Sequence, residues 1–412
     1  MITKTISIIS MLILTFFQSG AKNGSACSEE KLPQENTSDI LISDTLKWSE
    51  RLSESFIVRH PGSVTFDEYM TKNDWNYEQG VVLEALRQMY VKTDDDKYFN
   101  FIKENIDQFV TEEGKILKYN YDTFNLDNIN TGRQLLFLYE KTKSEKYKIA
   151  ADTLRKQLKY QPRTKEGGFW HKQIYPYQMW LDGIYMSGPF YAQYVTMFEE
   201  DKNYDDITFQ IKTVYKHTLD EKTGLLYHAW NENKEQRWAD PETGRSKHFW
   251  GRAIGWYVMA IVDVLDYLPQ EDKNRNDIIN ILQNVCESLL NFRDSETGLW
   301  YQILDMPERE GNYLEASCAT MFTYAFAKGA NKGYLDKKFF KIAENSFESI
   351  IKTHVEVEKN GLINLLHTCR GAGLGGNPYR DGSYEYYISE DQRINDFKGY
   401  GPLIYSALEL GK

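Results

Sequence analysis

One pattern recurs along this chain and limits what it can fold into. An apolar helical stretch is followed by a short polar turn and then by a second amphipathic stretch rich in Lys, Asp and Glu. Residues 75–90 turn at Thr93-Asp94-Asp95-Asp96 into 98–110, and 125–142 turn at Lys143-Ser144 into 146–160. The pattern returns as 180–198 with 204–219, 249–268 with 276–292, and 313–328 with 336–355. A last apolar helix, 401–410, has nothing after it, but 46–58 stands unpaired before the first hairpin and can partner it. In each pair the first helix is the more apolar and carries small residues such as Gly80, Ala85, Gly132, Gly183, Gly188, Gly251 and Gly255. A helix that is apolar or small on most faces is a buried one. Six buried helices ringed by six outer ones predict an all-α fold, an (α/α)6 barrel of six helical hairpins. A helical solenoid is the alternative, and helices from the two ends that pair with each other favour closure. Strand signals are few and lie in the connections before inner helices, as in Gly224-Leu225-Leu226-Tyr227-His228 and Gly298-Leu299-Trp300-Tyr301.

The barrel is expected to occupy residues 43–412, preceded by a signal peptide (1–26) and a polar linker (27–42). Lys4 gives a short positive start, and residues 6–17 are an apolar run too short to span a bilayer. Cleavage after Ala21 and after Ala26 both fit the small residues there. Gly24-Ser25-Ala26 before Cys27 loosely resembles a lipoprotein site, although Gly24 stands where Leu is usual. An exported, periplasmic or cell-surface protein follows, touching the membrane only through a lipid on Cys27. The remaining cysteines, Cys286, Cys318 and Cys369, are odd in number and widely spaced, so they read as buried thiols rather than a disulfide framework or a zinc pattern.

The formal net charge of −11 and the absence of a Lys/Arg run exclude nucleic acid as a partner. An anionic small substrate would need a local cationic pocket. Trp and Tyr are abundant enough to serve sugar stacking or core filling, and composition alone does not choose.

The loops leading into the inner helices gather at one end of such a barrel, and here they are dense in Trp, His, Asp and Arg. Four segments stand out. In the first, Phe169-Trp170-His171-Lys172 leads into Gln178-Met179-Trp180-Leu181-Asp182-Gly183. Asp182 at a helix start could be a plain cap, but Trp180, His171, Lys172 and Gln178 have no core-packing reason to cluster beside it. The second places Asp127 ahead of Thr131-Gly132-Arg133. The third holds His228, Trp238-Ala239-Asp240, Trp250, Arg252 and Trp256. Arg252 has the planar fork that grips a carboxylate with two bonds, or is a structural Arg paired with Asp240 or Glu242. The fourth is the Gly-rich stretch Gly371–Gly376 followed by Tyr379-Arg380-Asp381-Gly382-Ser383-Tyr384-Glu385-Tyr386-Tyr387. It lacks the Gly-Lys-Ser/Thr of a phosphate loop and suits a rim that closes over a sugar. No His-Glu-x-x-His, Gly-x-Ser-x-Gly or nucleotide fingerprint occurs, and the seven His are scattered, so chemistry without metal or cofactor is expected.

These segments, with Trp238-Ala239-Asp240-Pro241-Glu242-Thr243-Gly244 and Phe249-Trp250-Gly251-Arg252, resemble glycoside hydrolase family 105, the unsaturated rhamnogalacturonyl hydrolases. The likeness spans about residues 75–402. The resemblance implies an (α/α)6 barrel acting on an oligosaccharide that ends in a 4,5-unsaturated uronic acid, the product of a polysaccharide lyase. It implies hydration of the C4=C5 enol ether, after which the unstable hemiketal opens and the rest of the sugar leaves. It places the catalytic carboxyl on Asp182, a second carboxylate on Asp127, and substrate contacts on His171, Lys172, Trp180, His228, Trp250, Arg252 and Trp256. In that reading Asp182 gives a proton to C4 and then helps deprotonate the water that attacks C5, while Asp127 orients or shares the proton. Ordinary carboxylate-spacing rules do not apply, because C1 is not displaced. Thr131 departs from the Pro expected before Gly132-Arg133. The parent polysaccharide, whether pectin, ulvan or arabinogalactan, is not readable, and rhamnose is the expected next sugar. A non-catalytic glycan-binding lipoprotein and a polysaccharide lyase on the same barrel are the competing readings.

Overall fold

A computed structural model of the chain describes residues 41–64, 74–199 and 201–412. The leader and the linker up to residue 40 lie outside them. Ile42, at the end of the expected linker, is buried, and its N–H donates to Asn360 O at 2.9 Å, so packing onto the barrel begins there.

Helix α1 (Trp48–Arg59) is followed by five hairpins: α2 (Tyr77–Thr93) with α3 (Asp96–Asp107), α4 (Gly132–Thr142) with α5 (Glu145–Tyr160), α6 (Leu181–Phe198) with α7 (Asp205–Thr218), α8 (Gly251–Val264) with α9 (Arg275–Leu290), and α10 (Ala316–Asn331) with α11 (Lys338–His354). A short α12 (Tyr384–Ser389) precedes α13 (Phe397–Glu409), which pairs with α1. Helices α2, α4, α6, α8, α10 and α13 each pack on the next, and α13 packs back on α2. The ring closes, so the chain is an (α/α)6 barrel rather than a solenoid.

The sequence explains which helices go inside. Every residue of α8 is buried, whereas α9 buries Ile278, Ile281, Leu282, Val285, Cys286 and Leu289, one stripe at helical spacing. Burying each such aliphatic side chain contributes about 1.5–3 kcal/mol before entropy is subtracted. The inner helices come close because small residues face their neighbours. A Cβ at Gly255 of α8 would lie 2.7 Å from Met321 Sδ of α10.

Closure between α13 and α2 is specific. Lys398 Nζ sits 2.6 Å from Glu78 Oε1, and Gly401 lies against Val81, where a Cβ would come within 2.8 Å of Val81 Cγ1. On the outside, Tyr400 Oη donates to Leu52 O of α1 and Ser49 Oγ donates to Lys412 O. Inside the ring, Arg133 of α4 reaches Glu84 of α2 (2.9 Å) and Asp263 of α8 (3.0 Å), and Lys328 of α10 reaches Asp263 (2.7 Å). All four are buried. Charges this deep are tolerated only when paired, and the pairing pins four inner helices to one register.

The loops before the inner helices are stitched to one another. Leu126 N donates to His171 O, Leu181 N to His228 O, Gly251 N to Gln302 O and Ala316 N to His367 O, all at 3.0–3.1 Å. Strand β1 (Gln178–Trp180) adds an antiparallel ladder to β2 (Ala229–Asn231), with Met179 opposite Trp230. Two further ladders, β3 (Val355–Val357) with β4 (Ile363–Leu365) and β5 (Thr368–Cys369) with β6 (Gln392–Arg393), organise the last loop. The strand signals at 224–228 and 298–301 yield single bridges only, Leu219 to Leu226 and Tyr301 to Leu314. Among the described residues no helix is long and apolar enough to cross a membrane.

Candidate active site

Trp180 ends β1 and Leu181 begins α6, so Asp182 falls in the first turn of an inner helix. Its side chain does not cap that helix. It faces His228 instead, whose Nε2 stands 3.4 Å from Asp182 Oδ2. Both atoms are buried, and neither has a hydrogen-bond partner among the described residues. Buried polar atoms are normally satisfied, and an unsatisfied acid facing an unsatisfied imidazole is a place for a ligand group.

His228 is held from its other side. Tyr387 Oη lies 2.8 Å from His228 Nδ1, and Gln302 Nε2 donates to the Tyr387 carbonyl. Burial, with Tyr386 and Asp182 nearby, pushes the Tyr387 phenol well above its usual range, so it keeps its proton. Trp250 lies 4.7 Å from the His228 ring, centroid to centroid, and its indole N–H donates to Gln302 Oε1 at 3.0 Å.

A second acid–imidazole pair stands beside the first. Asp127, in a 3-10 turn over Leu126–Ile129, has Oδ1 3.3 Å from His171 Nε2 and Oδ2 2.5 Å from Lys172 Nζ. Burial acts to raise the Asp127 carboxyl, but Lys172 and His171 outweigh it and hold the group well below the usual carboxylate range. Asp127 is therefore a fixed negative charge. The indole of Trp180 joins the two pairs: His171 stacks on it at 4.7 Å and 5°, and His228 meets it edge-on at 5.3 Å and 70°. Tyr175 also stacks on Trp180. Gly183 makes room for this packing, since a Cβ there would lie 3.0 Å from His171 Nδ1 and 3.1 Å from Leu126 Cδ1.

The structure thus brings Asp127, His171, Lys172, Trp180, Asp182, His228 and Trp250 into one chain of contacts. Arg252 joins through Trp250, with its guanidinium carbon 5.3 Å from the indole. The pairing with Asp240 or Glu242 is not formed. Asp240 closes its own turn onto Thr243 and Glu242. Arg252 is buried against Glu315 (3.4 Å), Ser317 Oγ (2.7 Å) and the carbonyl of Cys369, because α8 points it across the ring at the start of α10. Its NH1 is buried without a partner among the described residues. Trp256 stacks on Tyr185 and stands edge-on to Tyr77, a phenol near both Asp127 and Arg252. Both faces of the sequence reading of Arg252 and Trp256 therefore meet a more buried setting than a rim contact would have.

Comparison with known proteins fits this geometry. The sequence profile of glycosyl hydrolase family 88 matches residues 48–412. A family 105 glycoside hydrolase of C. acetobutylicum ATCC 824 superposes with a TM-score of 0.85 and 44% identity, over 89% of this chain and 99% of that one. The chain belongs to the family 88/105 glycoside hydrolases. This glycoside hydrolase is also 26% identical to the unsaturated rhamnogalacturonyl hydrolase YesR of Bacillus subtilis (strain 168), over 76% of its own length and 84% of that relative. The unsaturated glucuronyl hydrolase of Bacillus sp. GL1 shares the fold, with a TM-score of 0.62 at 13% identity over 88% of this chain and 95% of that one. The enzyme is a hydrolase of the unsaturated glucuronyl and rhamnogalacturonyl kind.

Sequence reasoning missed Tyr387, Glu315 and Tyr175. Tyr387 stood inside a quoted motif without a role. Glu315 fell inside the expected helix 313–328, whereas it caps α10 from just before its first residue, accepting from Cys318 N at 2.8 Å. An acid opening an apolar helix opposite a buried Arg was the signal available.

Proposed function

We propose that this enzyme removes a terminal 4,5-unsaturated uronic acid from lyase-generated oligosaccharides in which the next sugar is rhamnose. Asp182 donates a proton to C4, and water adds to C5 with Asp182 as the base that receives its proton. The C5 hemiketal then opens at the bond to the ring oxygen. That leaves C1 as a hemiacetal of the next sugar, which collapses and releases it. Water is the only co-reactant.

The observation that carries this reading is the buried Asp182–His228 pair, with one unsatisfied atom on each side, enclosed by Trp180, Trp250 and Tyr387. Asp127, fixed as a carboxylate by Lys172 and His171, suits an orienting and charge-balancing role better than sharing the proton. Arg252 NH1 is the open donor for the uronate carboxylate, and His171, Lys172, Trp180, His228, Trp250 and Trp256 complete the substrate pocket. The leader at 1–26 and Cys27 support action outside the cytoplasm, in the periplasm or at the cell surface, and the mass of the mature N-terminus decides between cleavage and lipidation.

The test is loss of the unsaturated-uronate absorbance with disaccharides made by rhamnogalacturonan and ulvan lyases. Wild type should bleach one of them and Asp182→Asn should not. No bleaching of either by wild type would overturn the reaction, and equal bleaching by Asp182→Asn would overturn the role of Asp182.

A further inference from the structure

Beside the acid–imidazole pairs the chain builds a small separate core from three segments. Trp180, Ala229, Trp238 and Leu374 pack together there, with Tyr175, Ala239 and Tyr379 against them. Arg380 is mounted on this core. Its Nε donates to Gly375 O at 2.9 Å, and its NH2 donates to Tyr175 Oη at 2.7 Å and to Leu374 O at 3.3 Å. The Gly-rich loop is shaped around the guanidinium. A Cβ at Gly373 would strike NH1 at 2.2 Å, and one at Gly376 would come within 3.2 Å of NH2. Gly382 is closed in the same way by Leu374, so no side chain fits on the inner wall of the cradle.

Every acceptor that holds Arg380 is neutral. Among the described residues no carboxylate lies within ion-pair distance of it, in contrast to Lys172 and Arg252. A guanidinium fixed by three bonds to carbonyls and a phenol has lost little of its charge. The charge is felt at Lys172 and Tyr387, which ties it to the site. NH1 makes no hydrogen bond among the described residues and is not buried, so its two N–H donors remain free beside Gly373. The Tyr175 ring that anchors NH2 stacks on Trp180 at 5.0 Å, and Asp182 follows Trp180 by two residues. A second guanidinium, Arg237, lies 4.4 Å over the Tyr379 ring on the same small core and also lacks a carboxylate partner among the described residues.

We propose that Arg380, in its glycine cradle, is a specificity subsite for an anionic group, a carboxylate or a sulfate ester, on the sugar next to the unsaturated uronate. The inference rests on the hydrolase reading above and extends it to the substrate class. Arg252 lies deeper and is already matched by Glu315, which leaves Arg380 as the outer cation.

The experiment pairs two unsaturated disaccharides that share one uronate, with the next sugar either neutral or sulfated, and adds a third in which it carries a carboxylate. Wild type, Arg380→Gln and Arg380→Lys are compared by bleaching of the enol ether. The ratio of kcat/KM for the charged over the neutral substrate should fall at least tenfold in Arg380→Gln, through KM, and recover in part in Arg380→Lys. The sulfated and carboxylated arms show which anion is read. An unchanged ratio, with either equal loss on all substrates or no loss at all, would overturn the subsite. Calorimetric binding of the same disaccharides to Asp182→Asn, with and without Arg380→Gln, keeps the two readings separate. If wild type consumes nothing, the hydrolase reading falls, and a charged-over-neutral binding preference that depends on Arg380 still decides the subsite. Tyr175→Phe removes only the bond from NH2 to the Tyr175 hydroxyl and should move the ratio in the same direction by a smaller factor, which guards against a misfolded loop.

Discussion

Tyr387 Oη lies 2.8 Å from His228 Nδ1, while the opposite nitrogen of that ring faces Asp182 Oδ2 at 3.4 Å. The phenol can donate to Nδ1 or accept from it; in the tautomer where it donates, Nε2–H points at the carboxyl and a neutral imidazole is a donor toward Asp182.

Removing that phenol should expose the dependence. Tyr387→Phe leaves His228 Nδ1 buried and unsatisfied, a cost of about 1–3 kcal/mol, or roughly 5- to 150-fold in rate if it falls on the transition state. Steady-state kinetics should show the loss in kcat more than in KM, with an unchanged circular dichroism spectrum. A loss confined to KM would mean that Tyr387 only shapes the pocket.

Gly183→Ala tests the packing between the two acid–imidazole pairs. The new Cβ would press on His171 Nδ1 and Leu126 Cδ1, and neither is the free end of a long side chain. We expect the Asp127–His171 contact to shift and kcat/KM to fall by tenfold or more, while thermal unfolding moves by only a few degrees. Overpacking at one buried position typically costs about 1–3 kcal/mol.

Lys172→Met should change the acid side of the pH profile. Burial raises Asp127, and Lys172 is the first of the opposing charges that hold it down. Without Lys172 the carboxyl takes up its proton at higher pH, so the acid limb of kcat/KM should move upward. The same linkage acts on stability. The depressed Asp127 contributes stability that is present above its unfolded value, near about pH 4, and is lost as pH falls through its folded value. An unmoved acid limb in Lys172→Met would show that activity does not need Asp127 charged.

The ion cluster inside the ring makes a separate prediction about folding. Burial raises Asp263, but Lys328 and Arg133 bring it down to about 2. Its contribution to stability, about 2 kcal/mol, is complete above about pH 4 and drains away toward pH 2. Asp263→Asn would leave Arg133 and Lys328 buried with too little negative charge and should cost about 3–5 kcal/mol in denaturant unfolding. A variant as stable as wild type would mean that the cluster is neutral in effect.

How much of this was legible follows from where each signal sits. The hairpin period survives in sequence because inner helices must be apolar on every face, as α8 is, while outer ones need a single stripe, as α9 does. Asp182, Trp180, His171 and Lys172 were visible because they crowd a short stretch where packing gives no reason for them. The partners were not. Tyr387 meets His228 and Glu315 meets Arg252 across separations of 159 and 63 residues, and nothing local marks such pairs. Asp240 and Glu242 looked like partners for Arg252 only because they are near it in the chain. Arg380 stood in the resembling motif, but its neutral surroundings are a property of the folded loop.

The bond from Ser49 Oγ to Lys412 O has a consequence for how the ring could be assembled. Between α13 and α2 neighbourhood is enforced by contacts alone, whereas every other inner pair is also joined by the chain that carries the intervening helices. A peptide link across that gap, with a cut at the exposed turn around Lys143 between α4 and α5, would give the same circle read from a different starting point. Such a rearranged protein should reach the same fold and retain its catalytic rate, because the circle of helices has no preferred beginning.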